Sequence, residues 1–165
     1  MNSEFVKGLC KIISDFSLIV VLAFFISWAF LSRVIMQGFS MNPVIKDRDV
    51  VLVNRLYKNI IPLSRYDIVA FNIDGQDNIK RIIGLPGDFI KISSGNIYVN
   101  LNRIEEDFMQ DSLSTSIDNE VYVNSNEYYV LGDNLDSSKD SRFKDVGNIN
   151  KNSIIGKVWR VIGTR

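Results

Sequence analysis

The chain has 165 residues, enough for one domain of ordinary size and a membrane segment. Its 19 acidic residues balance 19 basic ones, so the composition offers no basic surface of the kind nucleic acid requires. There is no histidine and a single cysteine, Cys10, which excludes a Ser-His-Asp or Cys-His catalytic system, a histidine-ligated zinc site, an intramolecular disulfide and a thiolate cluster.

The first element in chain order is an apolar run. Residues 16–32 read FSLIVVLAFFISWAFLS without a charge, between Asp15 and Arg33. With Ile12, Ile13 and Val34–Met36 at its margins, the run reaches the ~20 residues that cross a bilayer. A helix is the only single-segment solution there, because lipid cannot satisfy backbone polar groups. Trp28 lies toward the outer end, where an indole favours the interface. Two other readings compete. A cleavable targeting peptide also follows basic residues such as Lys7 and Lys11, but this core is long and no A-x-A pattern closes it. A buried core helix is the other, although the run is apolar all round rather than amphipathic. The expectation is an uncleaved anchor over residues 16–36. Residues 1–15 would be cytoplasmic, because Lys7 and Lys11 orient the span while Glu4 and Asp15 count little. Residues 37–165 would then lie across the membrane. Cys10, ahead of the run, reads as a bystander thiol.

After the anchor the chain reads as all-β. Asp49–Asn54, Tyr66–Asn72 and Ile79–Leu85 are short apolar, β-branched runs bounded by charge or by Pro86-Gly87-Asp88. Phe89–Ile92 and Ile97–Asn100 flank Ser93-Ser94-Gly95-Asn96 as a hairpin. Glu127–Leu131 leads into Gly132-Asp133-Asn134, and Ser153–Ile162 alternates again. Short strands with turn signals between them predict a sandwich or barrel, with a smaller β insertion over about residues 89–130. The polar stretch 101–119 reads as an extended, less ordered part of that insertion.

Without histidine, a nucleophilic enzyme needs another base. Lysine serves if burial among apolar groups removes its proton. Lys80 stands in Asn78-Ile79-Lys80-Arg81-Ile82-Ile83-Gly84, and strand alternation makes one of its two basic residues point inward. A solvated strand face is the alternative. Ser40 stands in Gly38-Phe39-Ser40-Met41-Asn42-Pro43, where a bend projects its hydroxyl and N–H; an ordinary turn serine is the alternative. The run from Gly132 to Arg142 reads either as a polar network or as a solvated loop.

Together these segments resemble the type I signal peptidases, membrane proteases with a Ser-Lys dyad. The serine box S-M-x-P stands as Ser40-Met41-Asn42-Pro43, and Tyr66–Phe71 resembles the strand often written G-D-I-V-x-F. The lysine box K-R-x-x-G-x-P-G-D runs from Lys80 to Asp88, and G-D-N-x-x-x-S-x-D-S-R runs from Gly132 to Arg142. The resemblance implies that Ser40 is the acylated nucleophile and Lys80 its general base, later activating the deacylating water. It implies that Ser138 hydrogen-bonds and orients Lys80, that Asp140 and Arg142 hold the site together, and that Asp133 and Asn134 shape the same loop. The Ser40 N–H would donate to the oxyanion. Gly38 stands where the family often has a serine that completes the oxyanion hole, which leaves the second donor open between backbone and water. Val44, Leu135 and Asn78 also depart from the usual residues.

The implied activity is endoproteolysis of exported preproteins at their signal peptides, without a cofactor. The implied setting is a single-pass protein of the bacterial cytoplasmic membrane, with the membrane of an organelle of bacterial descent as the alternative, and a monomeric catalytic domain on the far side. Substrate would lie extended near Met36–Ser40 and Asp77–Lys80, with Met36, Met41, Ile45, Asn78 and Ile79 at the binding positions. Two rivals differ in class. A self-cleaving Ser-Lys repressor relative is soluble and usually carries a DNA-binding domain; a catalytically silent tethered β domain would be expected to lose Ser40 or Lys80.

Overall fold

The computed structural model describes residues 3–104 and 118–163. The chain divides into two compact units, Met1–Ser32 and Arg33–Arg165. The first is dominated by one helix, α1, Ser3–Phe30. Its stretch Phe5–Phe25 is 21 residues long and apolar enough to cross a bilayer. At 1.5 Å per residue that length matches the hydrocarbon thickness of about 30 Å. The large apolar side chains of this stretch are exposed, Phe16 and Phe24 among them, so no protein core accounts for them.

The helix begins earlier and stops sooner than the run 16–36 suggests. It ends at Phe30, and Leu31–Ile35 form strand β1. Val34 and Met36 are buried in the core of the second unit. A uniformly apolar run carries no period that separates helix from strand, and the β-branched pair Val34-Ile35 favours the latter. The side chain of Trp28, expected at an interface, lies outside the described set.

The second unit is mainly β. Its further strands are β2 (Val50–Asn54), β3 (Ile68–Ile73), β4 (Gln76–Gly84), β5 (Phe89–Ser93), β6 (Asn96–Val99), β7 (Asn102–Arg103), β8 (Asn119–Tyr122), β9 (Glu127–Leu131), β10 (Ile149–Asn150) and β11 (Ile154–Gly163), with a short helix α2 at Leu56–Asn59. Seven strands make one sheet in the order β1-β2-β11-β3-β4-β9-β10, and four make a smaller sheet, β7-β6-β5-β8. The smaller sheet is the expected insertion between β4 and β9. The barrel half of the expectation is corrected: the larger sheet ends at β1 and β10 and does not close. The polar stretch 101–119 falls largely outside the described residues.

The register that matters is set by a tight hairpin. Asp74 and Gly75, with φ of 51° and 81°, turn β3 into β4, and such left-handed pairs match the twist of the strands they join. The hairpin places Val69 opposite Lys80 and Ala70 opposite Ile79. The expected hairpin β5–β6 pairs Ser93 with Asn96 across Ser94–Gly95.

Both faces of the central strands are covered. Val69 and Phe71 of β3 pack in a cluster with Ile82, Val130 and Ile154, whereas Ala70 between them packs with Met36, Met41, Ile45, Val51 and Ile79. That is why these strands read as continuous apolar runs rather than strict alternation. A third cluster joins Ile90, Ile92 and Ile97 of the smaller sheet to Ile83, Tyr129 and Leu131 of the larger. Truncating one such buried aliphatic to alanine typically costs about 2–5 kcal/mol.

Candidate active site

Ser40 begins a turn between β1 and β2. The turn is held by Asn42 N–H on the Phe39 carbonyl (3.1 Å) and Ile45 N–H on the Met41 carbonyl (2.9 Å). Met41 and Ile45 are 0% exposed and fasten it to the core. The Ser40 carbonyl accepts from the Asn134 N–H at 3.0 Å, which ties the serine to the distant 132–142 segment. Among the described residues the Ser40 N–H makes no hydrogen bond, so it is available as a donor.

Lys80 lies in the middle of β4, 5% exposed, with its Nζ donating to Ser40 Oγ at 2.5 Å. Burial pushes the ammonium down from 10.5 to about 8, because the surroundings cannot solvate its charge. The Asp140 carboxylate pulls the other way, the Arg142 guanidinium lowers it further, and Asp133 raises it. A substantial neutral fraction near pH 8 gives this amine a lone pair for the serine proton.

The expectation that one of Lys80 and Arg81 points inward understates the result. Successive strand residues face opposite sides, and both sides are covered, so Arg81 is 9% exposed as well. Its guanidinium forks onto Asp133, Nε to Oδ1 at 2.7 Å and Nη2 to Oδ2 at 2.5 Å, and Nη1 donates to the Tyr66 carbonyl. This pair locks β4 to the 132–142 segment.

That segment is braced from within. Asp140 accepts from Arg142 Nε at 2.7 Å and from the Gly132 N–H at 3.1 Å. Arg142 Nη2 also donates to the Leu135 and Ser138 carbonyls. Asn134 caps a single 3₁₀ turn, Leu135–Ser137, its side chain accepting from the Ser137 N–H. Gly132 is the point of closest approach: a Cβ there would stand 2.4 Å from both the Ser138 Oγ and the Ser40 carbonyl oxygen.

Ser138 is thereby a neighbour of Ser40, but the expected hydrogen bond from it to Lys80 is not formed. The Ser138 Oγ is buried without a hydrogen-bond partner, and the Lys80 amine is directed at Ser40 instead. Gly38 gives its N–H to Asp47 Oδ1 at 2.7 Å, which removes that amide as a second oxyanion donor in this arrangement. Of the expected substrate positions, Met36, Met41, Ile45 and Ile79 share one buried cluster with at most 2% exposure each, so they form an apolar wall rather than an open pocket. Asn78 bonds the Gln76 carbonyl and lines a cavity with Phe71, Ile73 and Lys139 that includes neither Ser40 nor Lys80. Among the described residues no cluster of His, Cys, Asp or Glu is placed to hold a metal ion. Sequence reasoning missed Asp47 as the partner of Gly38, and Arg65, which donates to the Ile83 carbonyl and to Asp88 beneath the Pro86-Gly87 bend. Neither carries a local signal, since each partner is remote in sequence or reached only through the turn.

The model of the family described as signal peptidase, peptidase S26, matches residues 9–162, nearly the whole chain. The chain belongs to this family. It is a serine endopeptidase by that membership. Among similar proteins, signal peptidase I S of Bacillus subtilis (strain 168) is 35% identical over 147 residues, 83% of this chain and 79% of that protein. Signal peptidase IB of Staphylococcus aureus (strain N315) is 29% identical over 170 residues, 92% and 88% of the respective chains. The crystal structure of a signal peptidase I from Enterococcus faecalis V583 superposes with a TM-score of 0.51 at 30% identity, covering 59% of this chain and 97% of that one.

Proposed function

We propose that the protein removes signal peptides from exported preproteins as a membrane-anchored endopeptidase, with Ser40 as nucleophile and Lys80 as general base. The observation that carries this reading is the contact between a buried lysine amine and a serine hydroxyl, 2.5 Å apart, in a chain without histidine. Neutral Lys80 takes the Ser40 proton as Oγ attacks the scissile carbonyl. The oxyanion then meets the unengaged Ser40 N–H. Collapse to the acyl-enzyme releases the new N-terminal amine, which leaves with the proton returned by Lys80. Neutral Lys80 then deprotonates the water that hydrolyses the ester, and the proton passes to Ser40 Oγ as the acyl group leaves.

Burial of Lys80 supplies what a histidine supplies elsewhere, a base that is partly unprotonated near physiological pH. Asp140, Arg142, Asp133 and Asn134 act in this reading by positioning: they hold the Ser40 carbonyl and the floor of the site without touching the reacting atoms. Met36, Met41, Ile45 and Ile79 supply the apolar wall that keeps the amine neutral and faces the peptide before the cut. Helix α1 is read as the anchor, with the β unit on the extracytoplasmic side of a bacterial membrane and preproteins as the partners.

The test is cleavage of a model preprotein by the detergent-solubilised chain as pH is varied. The rate below pH 8 should climb about tenfold per unit, as the neutral amine does, and level off above about 8. Ser40→Ala and Lys80→Ala should each abolish specific cleavage while leaving the circular dichroism spectrum unchanged. Normal cleavage by purified Lys80→Ala would overturn the assignment.

A further inference from the structure

Beside the serine turn lies a cavity of about 370 Å³, lined by Phe39, Asn42, Pro43, Lys46, Asp47 and Asn134. That volume is within the range of ligand clefts, about 300–1,000 Å³. Resting on the reading of Ser40 as nucleophile, we propose that this cavity receives the first residues of the mature chain, after the cut, and selects for an acidic side chain there through Lys46.

Position is the first argument. An extended substrate must cross the nucleophile, with the residues before the cut on one flank and those after it on the other. The apolar wall of Met36, Met41, Ile45 and Ile79 contributes nothing to the cavity lining. Phe39 and Asn42 bracket Ser40 in sequence, and Asn134 holds the Ser40 carbonyl by its N–H. The cavity is therefore adjacent to the nucleophile and separate from the wall assigned to the signal peptide.

Hydrogen-bonding capacity is the second. Asn134 Oδ1 is committed to the Ser137 N–H, which leaves Nδ2 as the uncommitted end of that amide. Asn42 Oδ1 is buried without a partner. The lining thus carries an amide donor for a peptide carbonyl, one of the groups an extended chain presents, beside an Asn42 oxygen whose bonding capacity is unmet.

Charge is the third. Asp47 accepts from the Gly38 N–H and stands 3.6 Å from Arg48 Nε. Lys46 is fixed at its backbone by Asp49, whose Oδ2 accepts the Lys46 N–H at 2.9 Å, but its ammonium has no ion pair among the described residues. Of the two charged side chains in the lining, Asp47 is engaged by the Gly38 N–H and Arg48, whereas the Lys46 ammonium is left to attract a carboxylate and repel an ammonium. Because Lys46 is exposed, water and salt screen it and the preference is modest, about two- to five-fold.

The experiment uses the full chain in detergent and peptides identical up to the cut, with Glu, Gln or Lys at each of the first two positions after it. The expected result is a kcat/KM ratio of Glu over Lys of about two- to five-fold at low salt, shrinking toward one at about 1 M salt, where the Debye length is ~3 Å. Lys46→Glu should invert the ratio and Lys46→Ala should bring it close to one. An enzyme that cleaves all the peptides without a Glu/Lys difference, or whose ratio is the same in Lys46→Glu, overturns the subsite and leaves the Ser40–Lys80 reading intact. Failure of the unmodified protein to cleave any of the peptides overturns both.

Discussion

Charges of both signs surround the Lys80 amine, and their balance against burial sets its titration. Desolvation is the largest influence, Asp140 is the strongest opposing charge, and Arg142 pushes with desolvation. Asp140→Asn removes the upward pull and leaves the guanidinium in place. The amine should then lose its proton more readily, and the rising limb of kcat/KM against pH should move to lower pH. Measured on the folded fraction, a limb that stays put or moves up would contradict that ordering. Gly132 governs distance rather than charge. A methyl group there meets the Ser40 carbonyl oxygen and the Ser138 hydroxyl at 2.4 Å, and backbone cannot yield as a flexible side chain does. Gly132→Ala should cost about 1–3 kcal/mol of stability by overpacking. If Ser40 is the nucleophile proposed above, its effect on kcat should be larger, about a hundredfold, because a displacement near 1 Å at a nucleophile has that effect. Thermal melting and single-turnover kinetics on the same sample separate the two.

Strand β4 and the 132–142 segment work as one unit, coupled by a charge pair. Arg81 is clamped on Asp133, whose side chain is 1% exposed. Removing the arginine leaves a buried carboxylate without its counter-charge, which typically costs about 3–5 kcal/mol. Arg81→Ala should therefore lower the urea midpoint sharply, and its activity loss should follow from that loosening. The elements themselves were partly readable. The β5–β6 hairpin follows from Ser94-Gly95 between two alternating runs, and β4 from its β-branched run stopped by Pro86-Gly87. The residues of the Asp140–Arg142 brace lie two apart, and motif resemblance names them as a pair. By contrast, the burial of both Lys80 and Arg81 could not be read from β4 alone. Alternation says only that they face opposite ways, and a second covered face comes from other strands.

On the scale of the whole molecule, the chain divides into two compact units, Met1–Ser32 and Arg33–Arg165. Within the β unit, three clusters of buried residues, with Val34 their first member among the described residues, form its core. Deleting residues 1–30 should leave a domain that unfolds cooperatively on heating without detergent. The full chain should instead float with lipid vesicles in a density gradient, and the truncated chain should not. Loss of the cooperative transition on deletion would show that α1 contributes to the fold.

Composition alone removed histidine and disulfide chemistry, the apolar run announced a bilayer-length helix, and the four motifs in order pointed to one serine and one lysine. Those conclusions concern residue identity and local pattern, which a linear chain carries in full. The end of the helix at Phe30, the orphaned Ser138 hydroxyl, the Arg81–Asp133 clamp and the glycine that lets Ser40 and Ser138 approach were decided only in three dimensions. Each depends on which distant segments share a volume, and close packing, desolvation and pairing of buried charge exist only once those segments have met.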